Sequence, residues 1–102
     1  MKFVVAGAGA WGTAFAVHLA RLGHAVTLVP RRAEHAAALA ADRVNADYLP
    51  GVVLPPGVNV SADPGPLAGV DAVLLACPAQ ALRETCARFA AAPFIVSLVK
   101  GL

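Results

Sequence analysis

The run Gly7-Ala8-Gly9-Ala10-Trp11-Gly12 constrains what this chain can fold into more than any other stretch. A short apolar segment, Phe3, Val4, Val5 and Ala6, leads directly into it. The residues that leave it, up to Arg21, repeat their bulky apolar side chains at helical spacing. The pattern reads as strand, glycine turn, helix, and each glycine has a mechanical reason. Gly7 permits the tight turn off the strand, Gly9 lets a pyrophosphate approach bare backbone, and Gly12 lets the helix pack closely on the strand. Phosphates placed there would meet unpaired N–H groups at the positive end of the helix dipole. Glycine-rich turns with no ligand share this spacing, so the weight comes from context: the motif starts at residue 7, after β-branched residues and before a helix-patterned run.

The following segments repeat the alternation. Gly23 stands where a helix stops in a left-handed residue, and Ala25-Val26-Thr27-Leu28-Val29 is short and β-branched, a second parallel strand. Residues 2–29 thus form one βαβ unit of about 30 residues. An alanine-rich helix is predicted over 33–43. Residues 44–57 carry several prolines and glycines near their end and read as a long loop holding Tyr48. A short strand is expected over 58–61, a fully apolar one over 71–76, a helix from Pro78 to Phe89 or Ala90, and a last strand over 94–99. Strands near 2, 25, 58, 71 and 94 imply an α/β fold, a doubly wound parallel sheet in a single domain spanning 1–102, with strand order 3-2-1-4-5. Ligands in such sheets sit beyond the carboxyl ends of the strands. These are Gly7 to Gly12, Pro30 to Arg32, Cys77 to Gln80, and Lys100-Gly101.

Bulk properties exclude several classes. With 102 residues and a 59% hydrophobic fraction the chain can bury one modest core. A formal charge of +2 with scattered arginines argues against a nucleic-acid surface. No apolar stretch reaches the ~20 residues that cross a bilayer. Cys77 and Cys86 match neither a zinc nor a redox spacing and read as free thiols in a reducing cytosol, Cys77 as a packing residue. His18, His24 and His35 do not have metal-ligand spacing and read as surface residues.

Cofactor preference is written at the end of the second strand. Sites specific for NAD place Asp or Glu there to bind the ribose 2′-hydroxyl; this chain has Val29-Pro30 followed by Arg31-Arg32. Two fixed cations suit a 2′-phosphate, so NADP is preferred over NAD. The alternative is a solvated helix start, although arginine there opposes the helix dipole. Trp11 faces outward from the helix start, to lie against a cofactor or a substrate wall, or else it belongs to the core. Lys100 places an ammonium just past a buried strand at the ligand edge of the sheet, or is an ordinary solvated lysine.

Taken together, GAGAWGTAFA, NADYLPGVVLPPGV, LLACPAQALRE and the terminal SLVKG resemble the N-terminal domain of bacterial NAD(P)-dependent glycerol-3-phosphate dehydrogenases over the whole chain. The resemblance implies reversible reduction of dihydroxyacetone phosphate to sn-glycerol 3-phosphate in the cytoplasm, for glycerophospholipid synthesis. It also implies that Ala10, Trp11, Arg31, Arg32 and Tyr48 join Gly7, Gly9 and Gly12 at the cofactor. Lys100 would lie where nicotinamide and substrate meet. Two positions depart from the family pattern: Ala10 stands where serine is common, and Cys77-Pro78-Ala79 stands where Val-Pro-Ser is common, so two hydroxyl donors are missing. In the family a helical C-terminal domain follows, carrying the general acid/base lysine and the substrate-phosphate residues. No catalytic residue is assigned within these 102 residues, and the fragment is expected to be inactive alone. Apolar surface bared beside the last strand would allow two copies to form a homodimer. Other readings are a ketopantoate or pyrroline-carboxylate type reductase, which the YLPG loop and terminal Lys-Gly oppose, and a stand-alone nucleotide-sensing module.

Overall fold

The computed structural model of the chain describes residues 1–46, 48–63, 69–77, 82–89 and 95–97. The first βαβ unit runs β1 (Lys2–Ala6), α1 (Ala10–Arg21), β2 (Ala25–Val29). It continues with α2 (Ala33–Asp42), β3 (Val44–Asn45), β4 (Leu49–Val53) and β5 (Val58–Val60). The second half holds β6 (Ala72–Leu75), α3 (Leu82–Arg88) and β7 (Ile95–Ser97). The main sheet has five strands in the order β5-β2-β1-β6-β7 and every pairing in it is parallel. This is the 3-2-1-4-5 order expected from the sequence, with the order reversing between β1 and β6. In register, Val5 lies beside Leu28 on one side and Leu74 on the other.

Strand alternation divides the core into two layers. Val5, Val26, Leu28 and Leu74 face Ala16 and Val17 of α1 and Leu39 of α2. Val4, Ala6, Val29, Val73 and Leu75 face the other way, with Val70 and Phe89. Because both faces are covered, β1 and β6 read as unbroken apolar runs rather than alternating ones. Lys2 and Asp71 close the opening edge of these strands. The Lys2 N–H donates to Asp71 Oδ2 at 2.6 Å and the Asp71 N–H to the Lys2 carbonyl at 2.8 Å.

The ends of α1 and α2 are built differently. After α1, Gly23 adopts φ +93°, its N–H donates to the Ala20 carbonyl and the His24 N–H to that of Leu19. This Schellman arrangement satisfies carbonyls that the helix leaves unpaired. After α2 the left-handed position is held by Arg43, φ +57°, with no glycine to announce it. The helix therefore ends at Asp42 instead of running through 43.

Residues 44–57 are not the irregular loop that their composition predicts. β3 and β4 form an antiparallel two-stranded ribbon, pairing Val44 with Val53 and Asn45 with Leu49, with a register shift between. Pro50 and Gly51 are tolerated because each strand of a two-stranded ribbon has a free edge, and Gly51 takes φ +81°. Arg43 clamps the return of this ribbon, its guanidinium donating to the carbonyls of Pro55 and Val58 at 2.7 Å each and of Leu54 at 3.5 Å. In the second half, Phe89 is buried and Arg83, Glu84 and Arg88 are exposed, as the helical spacing predicts. The expected start of that helix at Pro78 lies outside the described residues.

Candidate functional site

Three strand ends meet at the glycine turn. The Gly7 N–H donates to the Val29 carbonyl at 2.9 Å, tying the turn to the end of β2, and the Ala76 N–H donates to the Ala6 carbonyl at 2.8 Å at the end of β6. Gly7 has φ +115°, and a Cβ there would lie 2.5 Å from the Ala76 carbonyl oxygen. Glycine is needed at this position for both backbone conformation and space. A Cβ on Gly12 would overlap the Gly7 carbonyl oxygen, so the helix can come this close to the turn only without a side chain.

Gly9 is different, since among the described residues a Cβ there would meet no atom within 4 Å. These residues do not require glycine at this position and leave the space beside it open. Gly9 is also the N-cap of α1; among the described residues no side chain caps the helix, and its first turn holds no acidic residue. An uncapped helix N-terminus beside open space and bare backbone is the donor set that a pyrophosphate requires. The residues present therefore fit a dinucleotide.

The other candidate residues border this turn to different degrees. Ala10 is exposed at the first helical position. Trp11 is 63% exposed, which removes the core reading. Its indole leans on Phe15 with ring centres 6.2 Å apart, and Trp11, Ala14, Phe15 and His18 border a shallow apolar recess. Arg31 and Arg32 are exposed just beyond β2, Arg32 as the N-cap of α2 with Nε 4.0 Å from Glu34 Oε1. Tyr48 is about half exposed between β3 and β4, its ring 5.7 Å from that of His35 on the first turn of α2. The ribbon thus brings Tyr48 to the same end of α2 as the two arginines. Cys77 is a buried free thiol, in keeping with a packing role. Lys100, Gln80 and the 78–79 pair lie outside the described residues.

The structure adds residues that sequence spacing does not single out. Asn45 of β3 is 1% exposed. Its amide nitrogen donates to the Ala8 carbonyl and to Thr13 Oγ1, both at 2.8 Å. Thr13 Oγ1 in turn donates to the Ala8 carbonyl at 3.3 Å, and His35 Nε2 stands 3.3 Å from Asn45 Oδ1. His35 is therefore a half-buried, bonded residue and not the solvated surface histidine read from the sequence. For Asn45 the sequence held one hint: a polar residue between Val44 and Ala46 at the start of the NADYLPG stretch.

The family model described as NAD-dependent glycerol-3-phosphate dehydrogenase N-terminus matches residues 2–102. A glycerol-3-phosphate dehydrogenase [NAD(P)+] of Thermus thermophilus is 50% identical over 103 residues, covering 100% of this chain and 32% of that protein. The crystal structure of glycerol-3-phosphate dehydrogenase from Coxiella burnetii superposes with a TM-score of 0.90 at 34% identity, over 99% of this chain and 33% of its own. A 2-dehydropantoate 2-reductase from Methylococcus capsulatus reaches a TM-score of 0.70 at 20% identity, covering 100% of this chain and 34% of its own, which shows a shared fold alone. The chain thus spans about a third of the length of the relatives it matches. A glycine turn of this geometry and a family match over nearly every residue agree: the chain belongs to the NAD-dependent glycerol-3-phosphate dehydrogenase family and corresponds to its N-terminal domain.

Proposed function

We propose that residues 1–102 are the dinucleotide-binding domain of an NAD(P)-dependent enzyme that interconverts dihydroxyacetone phosphate and sn-glycerol 3-phosphate. It would work in the cytoplasm, supplying glycerophospholipid synthesis. Gly9 carries this reading: among the described residues it is the one glycine of the turn whose missing side chain leaves open space instead of relieving a clash. The bound nicotinamide supplies the hydride. Gly7 and Gly12 shape the turn, while the backbone of Gly9, Ala10 and Trp11 holds the pyrophosphate. Arg31 and Arg32 hold a 2′-phosphate, Tyr48 closes the adenosine side, and Lys100 lies at the junction of nicotinamide and substrate. The general acid/base that reduction requires belongs to the family's C-terminal domain. Residues 1–102 by themselves accordingly bind cofactor weakly at best and turn over no dihydroxyacetone phosphate; measurable turnover by them alone would refute this.

Exposed paired arginines favour NADP over NAD. Titrating NADPH and NADH into the chain, with Trp11 as the fluorophore, tests the assignment. Loss of charge-assisted bonds to the 2′-phosphate in Arg31→Ala/Arg32→Ala should weaken NADPH about tenfold or more and NADH by far less. Equal losses for both cofactors would remove the arginines from the site.

A further inference from the structure

We infer that Asn45 is a positioning residue for the cofactor's pyrophosphate, acting through the Ala8 carbonyl without touching the ligand. The inference rests on the dinucleotide reading above. A carbonyl oxygen only accepts hydrogen bonds, so the Asn45 end that meets Ala8 is the NH₂, and its Oδ1 faces His35 Nε2. One hydrogen of that NH₂ holds the Ala8 carbonyl and the other holds Thr13 Oγ1, which itself donates back to Ala8. The Ala8 carbonyl is thus gripped by two donors, one from the ribbon and one from the first turn of α1.

The Ala8–Gly9 peptide is planar and trans, so its N–H points opposite to its C=O. Fixing the Ala8 carbonyl toward Asn45 fixes the Gly9 N–H away from it. Gly9 is the N-cap residue beside open space, and its N–H belongs to the anion-binding set. With glycine on its C-terminal flank and a glycine preceding Ala8, only the Ala8 methyl group opposes rotation of this peptide. Asn45 supplies the restraint that the glycines lack.

Calorimetric titration of the 102-residue chain tests this, using NADPH, NADH and adenosine 2′-monophosphate, which has no pyrophosphate. Asn45→Ala should weaken NADPH and NADH alike, about tenfold, and leave adenosine 2′-monophosphate within twofold. That pattern is the reverse of the arginine variants, which separate NADPH from NADH. The Gly9 amide resonance should also move in the unliganded variant. Should Asn45→Ala fail to fold, Thr13→Val carries the test, with a loss of about threefold that Thr13→Ser restores. Equal weakening of all three ligands would mean a structural role only and overturn the inference. So would a folded Asn45→Ala chain that binds NADPH as well as the parent. If the parent binds neither dinucleotide, the cofactor reading itself falls and takes this one with it.

Discussion

Gly9 and Gly12 stand three residues apart in one motif and fail differently when given a side chain. Alanine at 12 drives its Cβ into the Gly7 carbonyl oxygen, and neither backbone can retreat, since Gly7 is tied to Val29 and Gly12 lies inside α1. We expect Gly12→Ala to lower stability by about 3 kcal/mol, the upper end of the range for overpacking a closed contact. Alanine at 9 meets no atom of the described residues within 4 Å. Gly9→Ala should therefore keep the melting temperature and weaken NADPH at least tenfold, because the methyl group occupies the space of the phosphates. Paired thermal melts and titrations check both, and a Gly9→Ala chain that binds normally would move the pyrophosphate elsewhere. The motif was legible in sequence because its constraints are local. Asn45 was not, since its partners Ala8 and Thr13 are 37 and 32 residues away and no spacing rule links them.

The β3–β4 ribbon shows the same limit for whole elements. Pro50 and Gly51 look like strand breakers, and an alternating pattern is absent because the ribbon has one short pairing and a register shift. What makes these residues a ribbon is Arg43. Its backbone takes a left-handed conformation that costs a non-glycine residue about 1 kcal/mol, while its guanidinium collects three carbonyls from the chain that returns to β5. Hydrogen bonds to a charged donor outweigh that cost at about 2 kcal/mol or more. Arg43→Ala should thus destabilise the chain by about 2 kcal/mol, and Arg43→Gly by about 1 kcal/mol less, because glycine relieves the backbone without replacing the clamp. Urea unfolding of the two variants measures the difference. If Arg43→Ala unfolds with the parent, the ribbon is held by something other than these carbonyls. The five-stranded order, by contrast, followed from the sequence alone. Apolar strands separated by helical stretches admit few right-handed arrangements, and the order reverses beside the glycine turn.

Across the whole molecule, what holds the fold and what would hold the ligand rest on different forces. The sheet is buried on both faces by aliphatic side chains, and the one side-chain ion pair among the described residues, Arg32 with Glu34, is exposed at 4.0 Å. An exposed pair at that distance contributes little to stability. No helix of the described residues is long and apolar enough to cross a membrane. Raising the salt concentration should accordingly leave the melting temperature nearly constant. The cofactor site is the opposite case: two exposed arginines and an open helix N-terminus would face phosphates across solvent. Charges of that kind are screened as the Debye length falls from about 10 Å at 0.1 M to about 3 Å at 1 M salt. NADPH, with its additional 2′-phosphate beside Arg31 and Arg32, should lose affinity more steeply with salt than NADH. In Arg31→Ala/Arg32→Ala the two slopes should become equal. Titrations at a series of sodium chloride concentrations give all four slopes. Parallel slopes for NADPH and NADH in the parent chain would place the 2′-phosphate away from the arginines, while a melting temperature that falls in step with affinity would mean that the fold shares their electrostatics.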